Sequence, residues 1–261
     1  MSRALGRELG RLVAATRGWL EELHEEGVEA LAAPTAPVRT TAAREPRAIA
    51  APSAPGGAQL GLVGGEQASA WGASPTLDAV REALGECTRC RLHQSRSRIV
   101  FGDGNPDADL LFVGEGPGAE EDRRGLPFVG RAGELLTSMI EKGLGIPRRD
   151  VYICNIVKCR PPENRTPLAD EAATCRPFLD GQIAAVRPRV IVALGKPAAT
   201  LLLGREVSIT RIRGIWHDYR GIPLMPTFHP AFILRQYTQE NRRAVWSDLR
   251  AALERARQPD Q

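Results

Sequence analysis

A chain of 261 residues with a formal charge of +4 and a pI near 9.0 is long enough for one large or two modest domains, and its mild basicity suits a polyanion partner without requiring one. No apolar run approaches the roughly 20 residues of a membrane span, and the early acidic residues leave no signal-peptide core. A cytoplasmic protein is expected, in which thiols stay reduced and grouped cysteines mean metal or catalysis before disulfides.

Residues 3–26 carry Leu5, Leu9, Leu12, Val13, Leu20 and Leu23 at helical spacing with charges between them, and Gly27 is a natural stop. This predicts an amphipathic helix within residues 1–32 that must dock on its own domain or on a partner. Residues 33–75 are rich in Ala, Pro and Gly and have no apolar period, so they read as a disordered linker that buries too little surface to offset its ordering entropy. The folded domain is then 76–257.

Ser74-Pro75-Thr76 is a helix start, with Leu77, Val80, Ala83 and Leu84 on one face running into Cys87-x-x-Cys90. Beyond it, strands and helices alternate. The strand segments are 109–113, 151–157, 190–194 and 222–226. The helical segments are 132–142, 170–183, 198–203 and 238–256, and 119–124 (AEEDRR) reads as a loop. Strands that are apolar without alternation imply a parallel sheet covered on both faces, an α/β architecture whose ligands bind at the carboxyl ends of the strands. Three features converge on those ends: the turn Gly114-Glu115-Gly116-Pro117-Gly118, Asn155, and His229-Pro230.

The glycine-rich turn lacks the Lys-Ser/Thr of a P-loop, which argues against a nucleoside triphosphate site. Cys87, Cys90, Cys159 and Cys175 could meet in space as four thiolates, which suit either zinc or an iron–sulfur cluster. The 16-residue gap in the second pair is looser than a zinc knuckle and leans toward a cluster. Cys154, inside an apolar strand, reads as a core residue.

Taken together, CTRC at 87–90, GEGPGAEED at 114–122, GLPFVGRAGELL at 125–136, NIVKCRPPENR at 155–165, VALGKPA at 192–198 and TFHPAFILR at 227–235 resemble the family 4 uracil-DNA glycosylases, the iron–sulfur branch of their superfamily. The resemblance spans about 76–256. It implies a three-layer α/β/α sandwich with a four-stranded parallel sheet, and a [4Fe-4S] cluster, with zinc the lesser alternative, on Cys87, Cys90, Cys159 and Cys175. It also implies hydrolysis of the N-glycosidic bond of uracil flipped out of DNA. A related branch captures uracil covalently through a His in a basic insertion after the first motif. Residues 120–130 read EEDRRGLPFVG and contain no His, so hydrolysis is expected.

The same resemblance suggests roles. Gly114 and Gly116 allow close approach of backbone to base, Phe128 stacks on uracil, and Asn155 reads its O4 and N3–H edge. His229 donates a hydrogen bond to the charge developing on O2. The position before Pro117 is Gly116, where another branch carries the water-directing Asp, so Glu115 is the expected substitute and Glu121 the second choice. Leu234, with Ile233 and Arg235, lies where the family inserts a wedge, and Arg235 and Arg124 are expected on DNA. The protein is expected to be monomeric, with a repair or replication partner for the N-terminal helix. Two other readings remain open: a cluster- or zinc-bearing DNA-binding module without glycosylase activity, and a glycosylase for deaminated purines.

Overall fold

The computed structural model describes Trp71 and residues 75–258. The expected N-terminal helix and nearly all of the expected linker lie outside the described residues.

The domain opens with α1 (Leu77–Leu84), started by the Thr76 hydroxyl accepting from the Ala79 N–H at 3.1 Å. Then follow β1 (Asp103–Gly104), β2 (Leu110–Gly114), α2 (Ala119–Arg124), α3 (Arg131–Ser138), β3 (Tyr152–Asn155), α4 (Ala169–Val186), β4 (Val190–Leu194), α5 (Lys196–Leu203), α6 (Ile209–Ile212), β5 (His217–Tyr219), β6 (Ile222–Thr227), α7 (Pro230–Arg235) and α8 (Gln239–Ala256). The sheet order is β1-β3-β2-β4-β6-β5. Its four inner strands are parallel and coincide with the four apolar runs of the sequence. The short outer strands β1 and β5 pair antiparallel at the edges. They escape a reading by hydrophobic run because two or three residues carry no period.

Residue alternation along the inner strands sorts the core into two layers. Leu111, Val113, Tyr152, Cys154, Ile191 and Leu224 pack with α1, α4 and α5. Leu110, Phe112, Ile153, Val192, Leu194 and Met225 pack with α3, α7 and α8 on the other face. Both faces are covered, so every residue of β2, β3 and β4 is buried, which is the physical reason these strands do not alternate.

From β2 the chain steps to one side, to β3, and then crosses back to β4 and β6 on the other. The connections leaving β2 and β4 therefore run in opposite directions, and a crevice opens at their carboxyl ends.

Three expectations change in detail. Residues 119–124 are a helix, not a loop. Gly118 starts it, acidic residues fill its first turn, arginines its last, and Gly125 at φ +75° ends it. The helix expected over 132–142 is α3 followed by a wider π-type turn at Met139–Leu144. Trp71, inside the stretch assigned to the linker, is docked on α4: its indole N–H donates to Pro177 O at 2.9 Å and its ring meets Phe178 at 6.1 Å. A lone aromatic carries enough apolar surface to anchor where the surrounding Ala, Pro and Gly do not.

Candidate active site

A cleft of about 740 Å3 occupies the crevice. The loop after β2 supplies Glu115 to Glu121, β3 ends in Asn155, the turn after β4 supplies Gly195 and Lys196, and β6 runs out into Phe228 and His229.

Gly114 sits where backbone, amide and ring crowd together. A β-carbon there would lie 2.4 Å from Asn155 Oδ1 and 2.5 Å from the Phe128 ring, so only glycine lets the three meet. A β-carbon at Gly133 would fall 1.9 Å from the Phe128 carbonyl carbon. That glycine admits the Phe128 backbone, held at φ +51°, and the turn delivers the ring to the cleft wall.

Asn155 is 1% exposed, and its Oδ1 is buried without a hydrogen-bond partner among the described residues. An orphaned buried acceptor costs about 1–3 kcal/mol, so it marks a place where a ligand N–H belongs.

His229 and Pro230 form the start of α7. Proline at the first helical position needs no partner for the N–H it lacks, and His229 Nδ1 accepts from the Ala231 N–H at 3.1 Å. With Nδ1 an acceptor, the ring proton sits on Nε2. Burial, aided by Arg235, lowers the His229 pKa to about 4, against a weaker opposing pull from Glu121. At neutral pH the site therefore presents a neutral imidazole with an Nε2–H donor. Its ring lies 5.6 Å from that of Phe128. Gly195, at φ +86°, gives it room, since a β-carbon there would lie 3.0 Å from His229 Cβ.

The two carboxylates differ. Glu121 accepts from the backbone N–H groups of Gly118, Val129 and Gly130 at 3.1, 2.8 and 2.8 Å. It ties the glycine-rich turn to the segment that carries Phe128. Glu115 lines the cleft, and its side chain has no hydrogen bond or ion pair among the described residues.

Of the residues expected on DNA, Arg235 lines the cleft, while Arg124 is on the outer surface, ion-paired with Glu120 at 3.3 Å. Leu234 is half-buried on α7, outside the cleft lining, and Ile233 beside it is wholly buried in the core. Three further cations line the cleft: Arg131, Lys196 and Arg165. Lys196 is ion-paired with Glu206 and Arg165 with Glu171, whereas Arg131 has no ion pair among the described residues. The position of Arg131, at a helix start just after Gly130, was the available signal for it.

Cys87, Cys90, Cys159 and Cys175 line a second, narrow pocket, and Cys154 lies apart in the core. Arg96 donates to Cys159 Sγ at 3.3 Å and to Cys87 O at 2.5 Å. Burial pushes the Cys175 thiol up to about 11 and raises that of Cys159. These thiols stay protonated unless a bound cation draws off their protons. Among the described residues no three metal-ligating side chains converge closely enough for a single ion. Four thiols around one pocket, with cationic neighbours, fit a larger anionic group. Among the described residues no helix is long and apolar enough to cross a membrane.

The Uracil DNA glycosylase superfamily matches residues 101–250, more than half of the chain. The type-4 uracil-DNA glycosylase of Thermotoga maritima is 51% identical over 178 residues, covering 67% of this chain and 92% of that protein. The type-4 uracil-DNA glycosylase of Sulfurisphaera tokodaii is 41% identical over 192 residues, covering 70% of this chain and 86% of that protein. The type-5 uracil-DNA glycosylase of Pyrobaculum aerophilum is more distant, at 32% over 174 residues, 60% of this chain and 76% of that protein. With the parallel sheet and the cleft at its switch point, these likenesses place the chain in the uracil DNA glycosylase superfamily, in its type-4 branch.

Proposed function

We propose that the chain excises uracil from DNA by hydrolysing its N-glycosidic bond, leaving an abasic site. The observation that carries this reading is the orphaned Asn155 Oδ1, buried in a cleft that it lines together with the Phe128 ring and a neutral His donor. Uracil offers the matching N3–H. Cytosine has an acceptor at that position and would meet Asn155 oxygen to lone pair.

The base is flipped into the cleft, where Phe128 supplies the stacking surface that offsets unstacking. As the glycosidic bond lengthens, negative charge gathers on uracil O2 and positive charge on the sugar. His229 Nε2–H donates to O2 as that charge forms. With a pKa near 4 the ring acts as a fixed dipole and transfers no proton at neutral pH. Glu115, whose carboxylate has no competing bond among the described residues, orients the attacking water and faces the positive sugar. Glu121 holds the loop, through three amides, against Phe128. Arg235 and Arg131 take the phosphates. The four cysteines would hold a [4Fe-4S] cluster, a reading supported by their shared pocket and its cationic neighbours Arg96 and Lys158. The cluster supplies structure and charge; hydrolysis needs no electron from it. The protein acts as a monomer in the cytoplasm, and the segment before the domain serves a repair or replication partner.

The test is alkaline strand scission of oligonucleotides carrying one uracil, cytosine, thymine or hypoxanthine. Cleavage at uracil alone is expected. Cleavage chiefly at hypoxanthine, whose N1–H and O6 offer Asn155 the same edge, would overturn the choice of uracil as the base. No cleavage by folded, metal-loaded protein would leave a DNA-binding module.

A further inference from the structure

Lys158 stands between the two pockets. Its side chain is 1% exposed, and its Nζ donates to the Asn155 carbonyl at 2.7 Å and to Gln182 Oε1 at 2.5 Å. Gln182 is held in turn, through Nε2, by Phe101 O at 2.8 Å and Tyr152 Oη at 3.1 Å. The same lysine lines the four-cysteine pocket.

Both acceptors of the ammonium are neutral, and no carboxylate pairs with it among the described residues. A buried cation without a countercharge is strongly disfavoured, and a neutral side chain of similar length would fill the space at less cost. The countercharge within reach is the cysteine pocket once its thiols have become metal-bound thiolates. Asn155 lies directly on the other side: its peptide carbonyl takes the ammonium, and its amide faces the cleft.

We infer that Lys158 is a positioning residue that couples occupancy of the four-cysteine pocket to the orientation of Asn155, and so to selection of uracil over other bases. This rests on the glycosylase reading above. When the pocket carries its anionic group, Lys158 is electrostatically satisfied and pins the end of β3. When the pocket is empty, the ammonium loses its countercharge, the pin loosens, and the Asn155 amide loses its fixed aim. The base pocket then suffers before the domain unfolds.

The experiment uses the full chain and an oligonucleotide carrying 2′-fluoroarabino-uracil, a substrate analogue that resists hydrolysis, beside its cytosine counterpart, which lacks the N3–H that Asn155 accepts. Binding by fluorescence anisotropy is measured for the wild type as purified, the wild type after chelation of its metal, Lys158→Met as purified, and Lys158→Met after chelation. Circular dichroism follows the fold, and visible absorbance follows the metal. The wild type is expected to prefer uracil, and chelation and Lys158→Met are each expected to cut that preference by about tenfold. Chelation of Lys158→Met should remove no more, because both changes break one linkage. Losses that multiply, or an unchanged preference in either single arm, would overturn the inference. If Lys158→Met does not fold, Lys158→Gln, which keeps a donor but no charge, carries the same expectation. A wild type that binds uracil no better than cytosine would overturn the glycosylase reading itself, and is distinguished by appearing in the first arm.

Discussion

The cleft and the cysteine pocket are built to opposite rules within one domain. The cleft is wide and leaves its polar groups unfinished among the described residues: Asn155 Oδ1 without a partner, Glu115 unbonded, and His229 with its Nε2–H uncommitted. The cysteine pocket is narrow, and its surroundings are tightly engaged: Arg96 on Cys159 and Cys87, and Lys158 on Asn155 and Gln182. A region that must bind a changing guest leaves hydrogen bonds open. A region that holds a permanent one surrounds it with groups already fixed. The contrast separates chemistry from architecture, and it predicts where rate and stability will respond separately.

The largest effect on rate is expected at His229. His229→Ala removes the donor to the developing oxyanion and should lower single-turnover cleavage by about 10²–10³-fold, or about 3–4 kcal/mol, with unchanged visible absorbance and a loss of stability no larger than the roughly 1 kcal/mol of a helix cap. Its pH behaviour follows from burial. The folded pKa of about 4 lies below the ordinary 6.5, so the unfolded state binds the proton first. The stability contributed by the neutral ring is fully present above about pH 6.5 and is lost as pH falls from there through 4. Activity should show no His-dependent break near 6.5. A rate that falls with a midpoint near 6.5 would mean a ring that titrates normally.

Cys175→Ser should act on stability as well as on the preference for uracil. Loss of one ligand should abolish the visible absorbance and lower the melting temperature by roughly 10 °C, through several kcal/mol of lost metal binding. Differential scanning calorimetry with iron analysis decides it. An unchanged melting temperature would mean that the cysteine pocket contributes nothing to the fold.

The smallest effects should distinguish the two glutamates. Glu121→Gln keeps the shape but weakens three charge-assisted bonds to the loop, so it should cost about 1–3 kcal/mol of stability, read by urea denaturation, with a modest loss of rate. Glu115→Gln should lower the rate and leave the denaturation curve in place. Exchange of these outcomes would exchange the two roles.

Much of the molecule is readable from local pattern. The four inner strands announce themselves as apolar runs because helices bury both of their faces, and Thr76 and Thr238 mark helix starts by capping chemistry that acts within three residues. Asn155 and His229 lie near strand ends in the sequence and, with Phe128, line one crevice in the structure, with Gly114 packed behind Asn155 and Phe128. What pattern misreads is instructive. AEEDRR looks like a loop because its six residues have no apolar face; it is a helix because Glu121 reaches back to the Gly118 N–H. Arg124 and Arg131 are indistinguishable as basic residues beside a motif, yet one is spent on Glu120 and the other lines the cleft.

The sequence thus determined what acts through near neighbours and periodicity: the elements, their order, the caps, and the residue types available for chemistry. Only the tertiary structure decided what depends on groups far apart in the chain. It set Glu121 on the amides of Val129 and Gly130, left Asn155 Oδ1 without a partner, and lowered the His229 pKa by burial. It also set the Lys158 ammonium on Gln182 and brought Lys158 and Cys159 to the same pocket as Cys87, Cys90 and Cys175. Hydrogen bonding and desolvation act through space, and the spatial neighbours of a residue are fixed only when the layers close.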